Sequence, residues 1–499
     1  MSGAAAILAI DQGTTSTRAI LFDERLGVVA TAQRELAQIY PAHGWVEHDP
    51  EAIWADTVAV CRAVLAEAPG PVAGIAITNQ RETAVVWDRR TGVPVHNAIV
   101  WQDRRTADLC RALHADGVEE EVSARSGLIV DPYFSATKIA WILDHADARR
   151  AAERGDLAAG TVDSFLLWRL TGGRVHATDS TNAARTALFN IHDGAWDPEL
   201  LRIFGVPAAV LPDVRDNAAD FGTSHDSVLG RALPILAMAG DQQAALVGHG
   251  CFAPGDLKCT YGTGAFMIAN TGDAPVRSRN RLLTTVGYRV AGRTTYALEG
   301  SLFNTGALMQ WLRDGLGLLR DTADSAALAD SVQDNGGVVV VPALTGLGAP
   351  HWDPEARGLI CGLSRASSAA HVVRAALESV AFQTFDLIAA MGRDGVAGHD
   401  GTAAGGLKVD GGMTANAWLM QCLADVVDAP VARAGVAETT ALGVAGLGWL
   451  QAGAIGSLSD IAALCRPDRT WRPAITGERR DAMLAAWRTA LRRAASAVP

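Results

Sequence analysis

A short apolar run, residues 4–10, meets the polar stretch Asp11-Gln12-Gly13-Thr14-Thr15-Ser16, and the chain resumes at once as a second apolar run from Thr17 to Phe22. A strand that turns straight back into a strand is a β-hairpin. It is not the strand-to-helix step of a phosphate-binding P-loop or of a dinucleotide fold. With the helical patterns that alternate with strands farther along, the chain reads as mixed α/β, its first sheet opening with an antiparallel pair. Downstream, Pro234 to Ala239 forms another apolar run that ends, after Gly240, in Asp241-Gln242-Gln243. The first turn offers backbone N–H groups and three hydroxyls, a set suited to a polyphosphate, and an acid beside each turn suits Mg²⁺ or a proton. Two such turns so far apart predict a nucleotide held in a cleft between two domains.

Length agrees with that division. The 499 residues exceed one ordinary core and fit two domains of about 250 residues each. The net charge of −11 leaves no basic stripe for phosphate backbones, so a nucleic-acid partner is not expected. Basic residues are nearly all arginine, with lysine only at Lys138, Lys258 and Lys408, a skew read as compositional. None of the three lies in a GxxxxGK[ST] context, and no GxGxxG is present. Seven cysteines without CxxC spacing predict free thiols and a reducing, cytoplasmic setting, with no zinc expected. No apolar run approaches the ~18–20 residues of a membrane span, so no membrane partner is expected.

Strands are predicted at 73–77 and 84–87, flanking the polar turn Thr78-Asn79-Gln80-Arg81-Glu82-Thr83, and helices at 51–65 and 135–145. The opening theme returns at Leu257-Lys258-Cys259-Thr260-Tyr261-Gly262-Thr263-Gly264, followed by an apolar strand over 265–269. A further strand, 407–412, ends in an Asp-Gly turn before a helix over 415–426. Two halves of like plan, 1–250 and 251–499, imply an internal duplication around the cleft.

On these residues the chain resembles the FGGY family of carbohydrate kinases, over nearly its full length. The match includes Asp11 to Arg18, Gly44 to Pro50, Thr78 to Thr83, Val100 to Thr106, Asp131 to Ser135 and Gly240 to Ala245, with the general family signatures at Tyr133–His145 and Gly358–Glu378. The contexts of Arg81-Glu82, Trp101 and Tyr133 resemble the branch that phosphorylates glycerol. The resemblance implies an α/β fold of two ribonuclease-H-like (actin-like ATPase) domains with an active cleft between them. It also implies ATP and Mg²⁺ as cosubstrate and cofactor, glycerol as acceptor, sn-glycerol 3-phosphate as product, and a homo-oligomer, dimer or tetramer.

Residue by residue, the resemblance makes Asp241 the catalytic base and, with Asp11, a Mg²⁺-organising acid. Arg81, Glu82, Tyr133, Asp241 and Gln242 would hold glycerol, with Trp101 and Phe266 as the apolar wall. Thr14, Thr15, Ser16 and Arg18 would face the phosphates with Thr263, while Gly306, Gln310, Gly412 and Asn416 would line the nucleotide. Gly411 and Gly13 would let ligand lie on backbone. Each has an ordinary counterpart: a polar hairpin, a surface ion pair for Arg18, a solvated Arg-Glu dipeptide, core aromatics, or turn glycines. Asp241 has a second reading, as a Mg²⁺ ligand without proton transfer. Residues 227–233 lack the Gly-Gly-Thr part of a fructose 1,6-bisphosphate loop, so such regulation is expected to be weak or absent. A kinase of another sugar, and a silent glycerol- or nucleotide-binding sensor, are the competing readings.

Overall fold

The computed structural model describes residues 5–353, 355–396 and 405–495. Two central sheets organise it. The first is built from β1 (Ala6–Gln12), β2 (Ser16–Asp23), β3 (Val28–Glu35), β4 (Val72–Asn79) and β5 (Ile235–Gly240), in the order β5-β4-β1-β2-β3. β1 pairs antiparallel with β2 and parallel with β4, and β4 is parallel to β5. The second contains β6 (Leu257–Tyr261), β7 (Ala265–Gly272), β8 (Leu283–Val290), β9 (Arg293–Leu302), β10 (Leu407–Asp410), β11 (Val431–Ala434) and β12 (Pro467–Trp471), ordered β8-β9-β7-β6-β10-β11-β12. Removing the outer strands β8 and β12 leaves β9-β7-β6-β10-β11, with the senses of the first sheet repeated. The duplication read from the two hairpins is thus a shared strand topology, that of the actin-like ATPases.

Both faces of β1 are covered, which is why the strand reads as continuously apolar rather than alternating. Leu8 and Ile10 point toward α1 (Pro50–Ala66), joining Ile53, Val60, Cys61 and Val64. Asp49 starts that helix by accepting the Glu51 N–H at 2.9 Å, with Pro50 pre-set in the first turn. Ile7 and Ala9 point the other way, onto a core that includes α3 (Asp241–Gly248) and α6 (Thr439–Ala452). The second sheet packs on α4 (Ala369–Arg393) and α5 (Ala417–Val427). Helix α2 (Ser135–His145) agrees with the predicted 135–145.

The helices α3 and α6 each follow the fifth strand of their half and cross tightly at the molecule's centre. A Cβ on Gly443 would lie 1.9 Å from the Ala244 carbonyl, and one on Gly248 would lie 2.1 Å from that of Thr439. Only glycine permits this approach. The crossing packs a helix of one half directly on a helix of the other.

Several boundaries differ from expectation: β4 takes in Thr78 and Asn79, expected in the polar turn, and β10 ends at Asp410 rather than at 412. β1 runs to Gln12, so Asp11 is a strand residue rather than part of the turn, while residue 4 lies outside the described residues. The helix expected from residue 415 begins at Ala417, because Asn416 turns its side chain back to cap Leu419 N at 2.9 Å. All seven cysteines are free. Among the described residues no helix is long and apolar enough to cross a membrane.

Candidate active site

Three adjacent parallel strands deliver the acids and the arginine. Asp11 lies near the end of β1, in register with Arg18 on β2 and Thr78 on β4. Gly240, last in β5, is in register with Asn79, last in β4, so Asp241 and the 80–83 turn emerge side by side. Ligands of α/β sheets gather at such carboxyl ends.

The turn after β4 is strained. Glu82 has φ +60°, and the Thr83 N–H reaches back to the Arg81 carbonyl at 2.7 Å. Ser135 Oγ and Lys138 Nζ, both on α2, hold the Glu82 carbonyl at 3.1 and 3.3 Å. The surroundings therefore fix a conformation the turn would not keep alone. It buries Arg81 and Glu82 almost completely.

Arg81 sits at the centre of the charges. Its Nε meets Asp241 Oδ1 at 3.2 Å, its Nη1 donates to Glu299 Oε2 at 2.5 Å and to Gln243 Oε1 at 3.2 Å, and Nη2 faces the Tyr133 hydroxyl at 3.5 Å. Arg185 completes the cluster, with Nε on Glu82 Oε1 at 2.6 Å and Nη2 on Glu299 Oε1 at 2.9 Å. Burial disfavours the Glu299 carboxylate, but Arg185 and Arg81 outweigh it and hold its pKa at about 2. Glu82 is shifted the other way, upward, because burial exceeds the help of Arg81 and Arg185. Sequence reasoning missed Arg185 and Glu299. The available signal was a lone acid inside the otherwise apolar run Tyr296-Ala297-Leu298-Glu299.

Asp241 is the first residue of α3, and its Oδ1 also accepts the Gln242 N–H at 2.7 Å. Its side chain remains 30% exposed, which leaves it reachable from the cleft. Burial pushes its pKa up, against Arg81 and Lys258. Asp11 is pushed up to about 6, chiefly by burial, with Arg18 opposing and Glu438 and Asp241 adding to the rise. Among the described residues no group of three or more His, Cys, Asp or Glu surrounds a cation position. Two partly compensated carboxylates at strand ends do fit a Mg²⁺ ion that keeps most of its water and takes substrate oxygens.

The three aromatic residues nominated for the pocket pack together. Trp101 packs edge-on against Tyr133 and Phe266, with ring centroids 5.7 and 5.9 Å away. Its Nε1 donates to Thr14 Oγ1 at 2.9 Å, tying the wall to the hairpin. In that hairpin Gly13 N–H is already given to Ser16 O at 2.9 Å, and the exposed Thr15 lends its carbonyl to Leu36 N–H. Arg18 is held by Asp11 at 3.4 Å, Glu438 at 3.3 Å and Gln33 at 2.8 Å.

On the opposite sheet, Thr263 is exposed and its carbonyl accepts Ala307 N–H at 3.0 Å, while Gly306 N–H reaches Gly262 O at 3.0 Å. A Cβ on Gly306 would strike that oxygen at 2.5 Å. Gln310 lies one helical turn further, exposed on the same face. Gly411, at φ +91°, lies so close to Tyr261 that a Cβ would come within 2.4 Å of its carbonyl, whereas Gly412 borders open space. The structure therefore brings Thr263, Gly306 and Gln310 to one turn and its helix, and Gly412 to the neighbouring strand end. Asn416 is set apart: its amide is occupied by the α5 cap and by Ser325 Oγ at 3.1 Å.

An acid-and-arginine pocket on one sheet, facing glycine turns on a second sheet of the same topology, defines a two-domain kinase of the actin-like class. Models of the FGGY family of carbohydrate kinases match its N-terminal domain over residues 6–248 and its C-terminal domain over 257–452, and the chain belongs to that family. It is 60% identical to a glycerol kinase of Rhodospirillum centenum over 99% of both chains, and 55% identical to glycerol kinase 1 of Pseudomonas aeruginosa over 98% of this chain and 99% of that one. Among solved structures, a Plasmodium falciparum glycerol kinase with ADP superposes with a TM-score of 0.93 at 33% identity, covering 99% of each chain. A xylulose kinase of Rhodospirillum rubrum gives 0.84 at 26%, over 98% of this chain and 99% of that one.

Proposed function

We propose that this protein transfers the γ-phosphoryl group of ATP to glycerol, giving sn-glycerol 3-phosphate. The observation that carries the reading is the half-exposed Asp241 carboxylate, braced by Arg81 and by the Gln242 amide, at the edge of a pocket walled by Trp101, Tyr133 and Phe266. Full-length similarity to glycerol kinases at 54–60% identity supports it.

A primary alcohol is a weak nucleophile, and a carboxylate within hydrogen-bond reach accepts its proton as the phosphoryl group moves. Asp241 takes that role. Arg81 keeps the carboxylate aimed, Glu82 accepts from a substrate hydroxyl, and the Tyr133 hydroxyl and the Gln242 amide hold the other polar edges. The carbon edge lies on Trp101 and Phe266. A three-carbon triol matches a pocket with polar groups on one side and an indole on the other. A deoxy analogue would leave buried groups unpaired, and such sites reject analogues by ~10⁴-fold or more.

The phosphates lie along Thr14, Thr15 and Ser16 and the Gly262–Thr263 turn, with Arg18 released from its acids as the compensating cation. Asp11 and Asp241 are the residues that would organise Mg²⁺. When bound, Mg²⁺ supplies charge neutralisation at the transferring group. Gly306, Gln310, Gly411 and Gly412 give the nucleoside a backbone surface. Asn416 acts as the helix cap behind that surface rather than as a direct contact. We place the division between the halves at residue 250, and the enzyme in the cytoplasm.

The test is Mg²⁺–ATP-dependent ADP release with glycerol, erythritol, xylulose, ribulose and gluconate. Turnover confined to glycerol is expected. Faster turnover of a pentulose or gluconate would overturn the acceptor assignment, and silence with all five would overturn the kinase reading.

A further inference from the structure

The chain has 43 basic residues, and only three are lysines. Lys138 and Lys258 are wholly buried and Lys408 is half-buried. Lys138 Nζ reaches the Glu82 and Tyr133 carbonyls, Lys408 Nζ reaches those of His249 and Gly250, and Lys258 Nζ reaches a side-chain amide, that of Gln242. Arginine replaces lysine freely on a surface, but a planar fork does not replace a compact ammonium in a closed space. The buried lysines are therefore sites where the shape of the cation matters.

Lys408 meets the first half only at the backbone of its last two residues, whereas Lys258 reaches a side chain of the first half, that of Gln242. Lys258 lies on β6 of the second sheet, wholly buried, and its Nζ donates to Gln242 Oε1 on α3 and to Thr260 Oγ1 at 3.0 Å. Asp410, in register with Thr260 on β10, faces it as counter-charge. An ammonium carries donors and no acceptor. Whichever way an amide is otherwise free to turn, its oxygen must face Lys258, which commits Nε2 as the donor at the other end. Gln242 follows Asp241 directly, so this donor lies beside the base.

We propose that Lys258 is a positioning residue that fixes the Gln242 side-chain amide with its N–H₂ toward the acceptor, so that the second half of the chain sets the hydrogen-bond polarity of the pocket in the first. The assignment rests on the acceptor reading given above. Gln242 then recognises its substrate hydroxyl by donating, and a site that must donate discriminates against acceptors lacking an oxygen there.

The experiment is a double-mutant cycle with Lys258→Met and Gln242→Leu, reading acceptor KM, kcat and glycerol binding by calorimetry without nucleotide. Lys258→Met is expected to raise KM and the glycerol Kd roughly tenfold, the weight of one hydrogen bond, in the Gln242 background. It should add nothing once Gln242 is leucine. An equal factor in both backgrounds, or no effect in the first, overturns the proposal.

Gln242→Glu guards against a folding failure of Lys258→Met. Its carboxylate pairs with the ammonium, so Tm should hold while the donor and the acceptor affinity are lost. A collapse of Tm, or an unchanged glycerol Kd, also overturns the proposal. If the wild-type protein turns over no polyol at all, the acceptor reading fails by itself, and the Tm of Gln242→Glu still tests the Lys258 contact.

Discussion

Replacing Asp241 with asparagine separates the base from everything else that residue does. Asparagine keeps an oxygen that accepts the Gln242 N–H, now at 2.7 Å, and faces Arg81 Nε, now at 3.2 Å, so the start of α3 and the aim of Arg81 persist. What disappears is the charge and the proton acceptor. A positioned base is worth ~10²–10⁴ in rate, or about 3–5 kcal/mol of barrier. We expect kcat with glycerol to fall by that factor and the glycerol KM to change less than threefold. Because burial already opposes ionisation of Asp241, and Glu299 and Glu82 continue to balance Arg81, Tm should stay or rise. The wild-type kcat should lose activity on acidification above the ordinary aspartate range of ~3.9, since the group's pKa is raised and the base works only when ionised. That limb should vanish in the variant. The assay is steady-state ADP release with glycerol and ATP varied in turn, from pH 4 to 9. A loss below tenfold, or one confined to KM, would refute proton transfer to Asp241 and leave it as a binding group.

Glu299→Gln removes the anion shared by Arg81 and Arg185, and should cost ~3–5 kcal/mol of stability in chemical denaturation. The same carboxyl, held at about 2 against an ordinary 4.5, stabilises the fold fully above pH 4.5. That stability should be lost as pH falls toward 2, a slope that Glu299→Gln flattens. Gly411→Ala puts a Cβ 2.4 Å from the Tyr261 carbonyl at φ +91° and should lower Tm markedly. Gly412→Ala, facing open space, should spare Tm and raise the ATP KM instead. Thr181→Val deletes the Oγ1 that accepts the Gly240 N–H at 2.9 Å just before Asp241. That variant should lose roughly tenfold in kcat, as well as the ~1–3 kcal/mol of an unpaired buried amide.

Much of this arrangement is local, and local features are legible. The β1–β2 hairpin, α1 with its Asp49-Pro50 start, α2, and the turn carrying Arg81 and Glu82 follow from periodicity and turn chemistry over fewer than twenty residues each. The duplication was legible because both halves spell strand, Gly/Thr turn, strand. The partners of Arg81 were not. Glu299 lies 218 positions away, and a single acid in a strand says nothing about which cation it meets until the β8–β9 hairpin is docked. The occupancy of candidate groups was equally hidden. Residue type nominated Asn416 for the nucleotide, but a side-chain cap depends on backbone dihedrals that the sequence does not print. Lys258 could have been singled out from composition, as one of three lysines in an arginine-rich chain, though its target could not.

The placement of these charges explains why the site spans two halves at all. Buried ion pairs are a poor source of stability, since desolvation consumes most of what attraction returns. Their retention here calls for another reason. Arg81 belongs to the first half, but its tightest partner, Glu299, comes from β9 of the second, and Gln242 is held by Lys258 of β6. Arg81 and Gln242, on one side, thus each have a counter-group on the other, packed through α3 and the glycine crossing with α6. A displacement between the halves would shift these partners before it disturbed the backbone of the pocket. The geometry of Arg81, and through it of Asp241, is therefore conditional on how the second half sits, which is the half whose glycine turns we assign to the nucleotide. Acceptor activation then depends on donor-side geometry through the protein, besides the contact that phosphoryl transfer itself requires. In that arrangement Glu299→Gln should weaken the dependence of glycerol affinity on bound nucleotide more than it weakens glycerol affinity alone. Calorimetry of glycerol binding with and without ADP distinguishes the two, and equal losses under both conditions would confine Glu299 to a structural role.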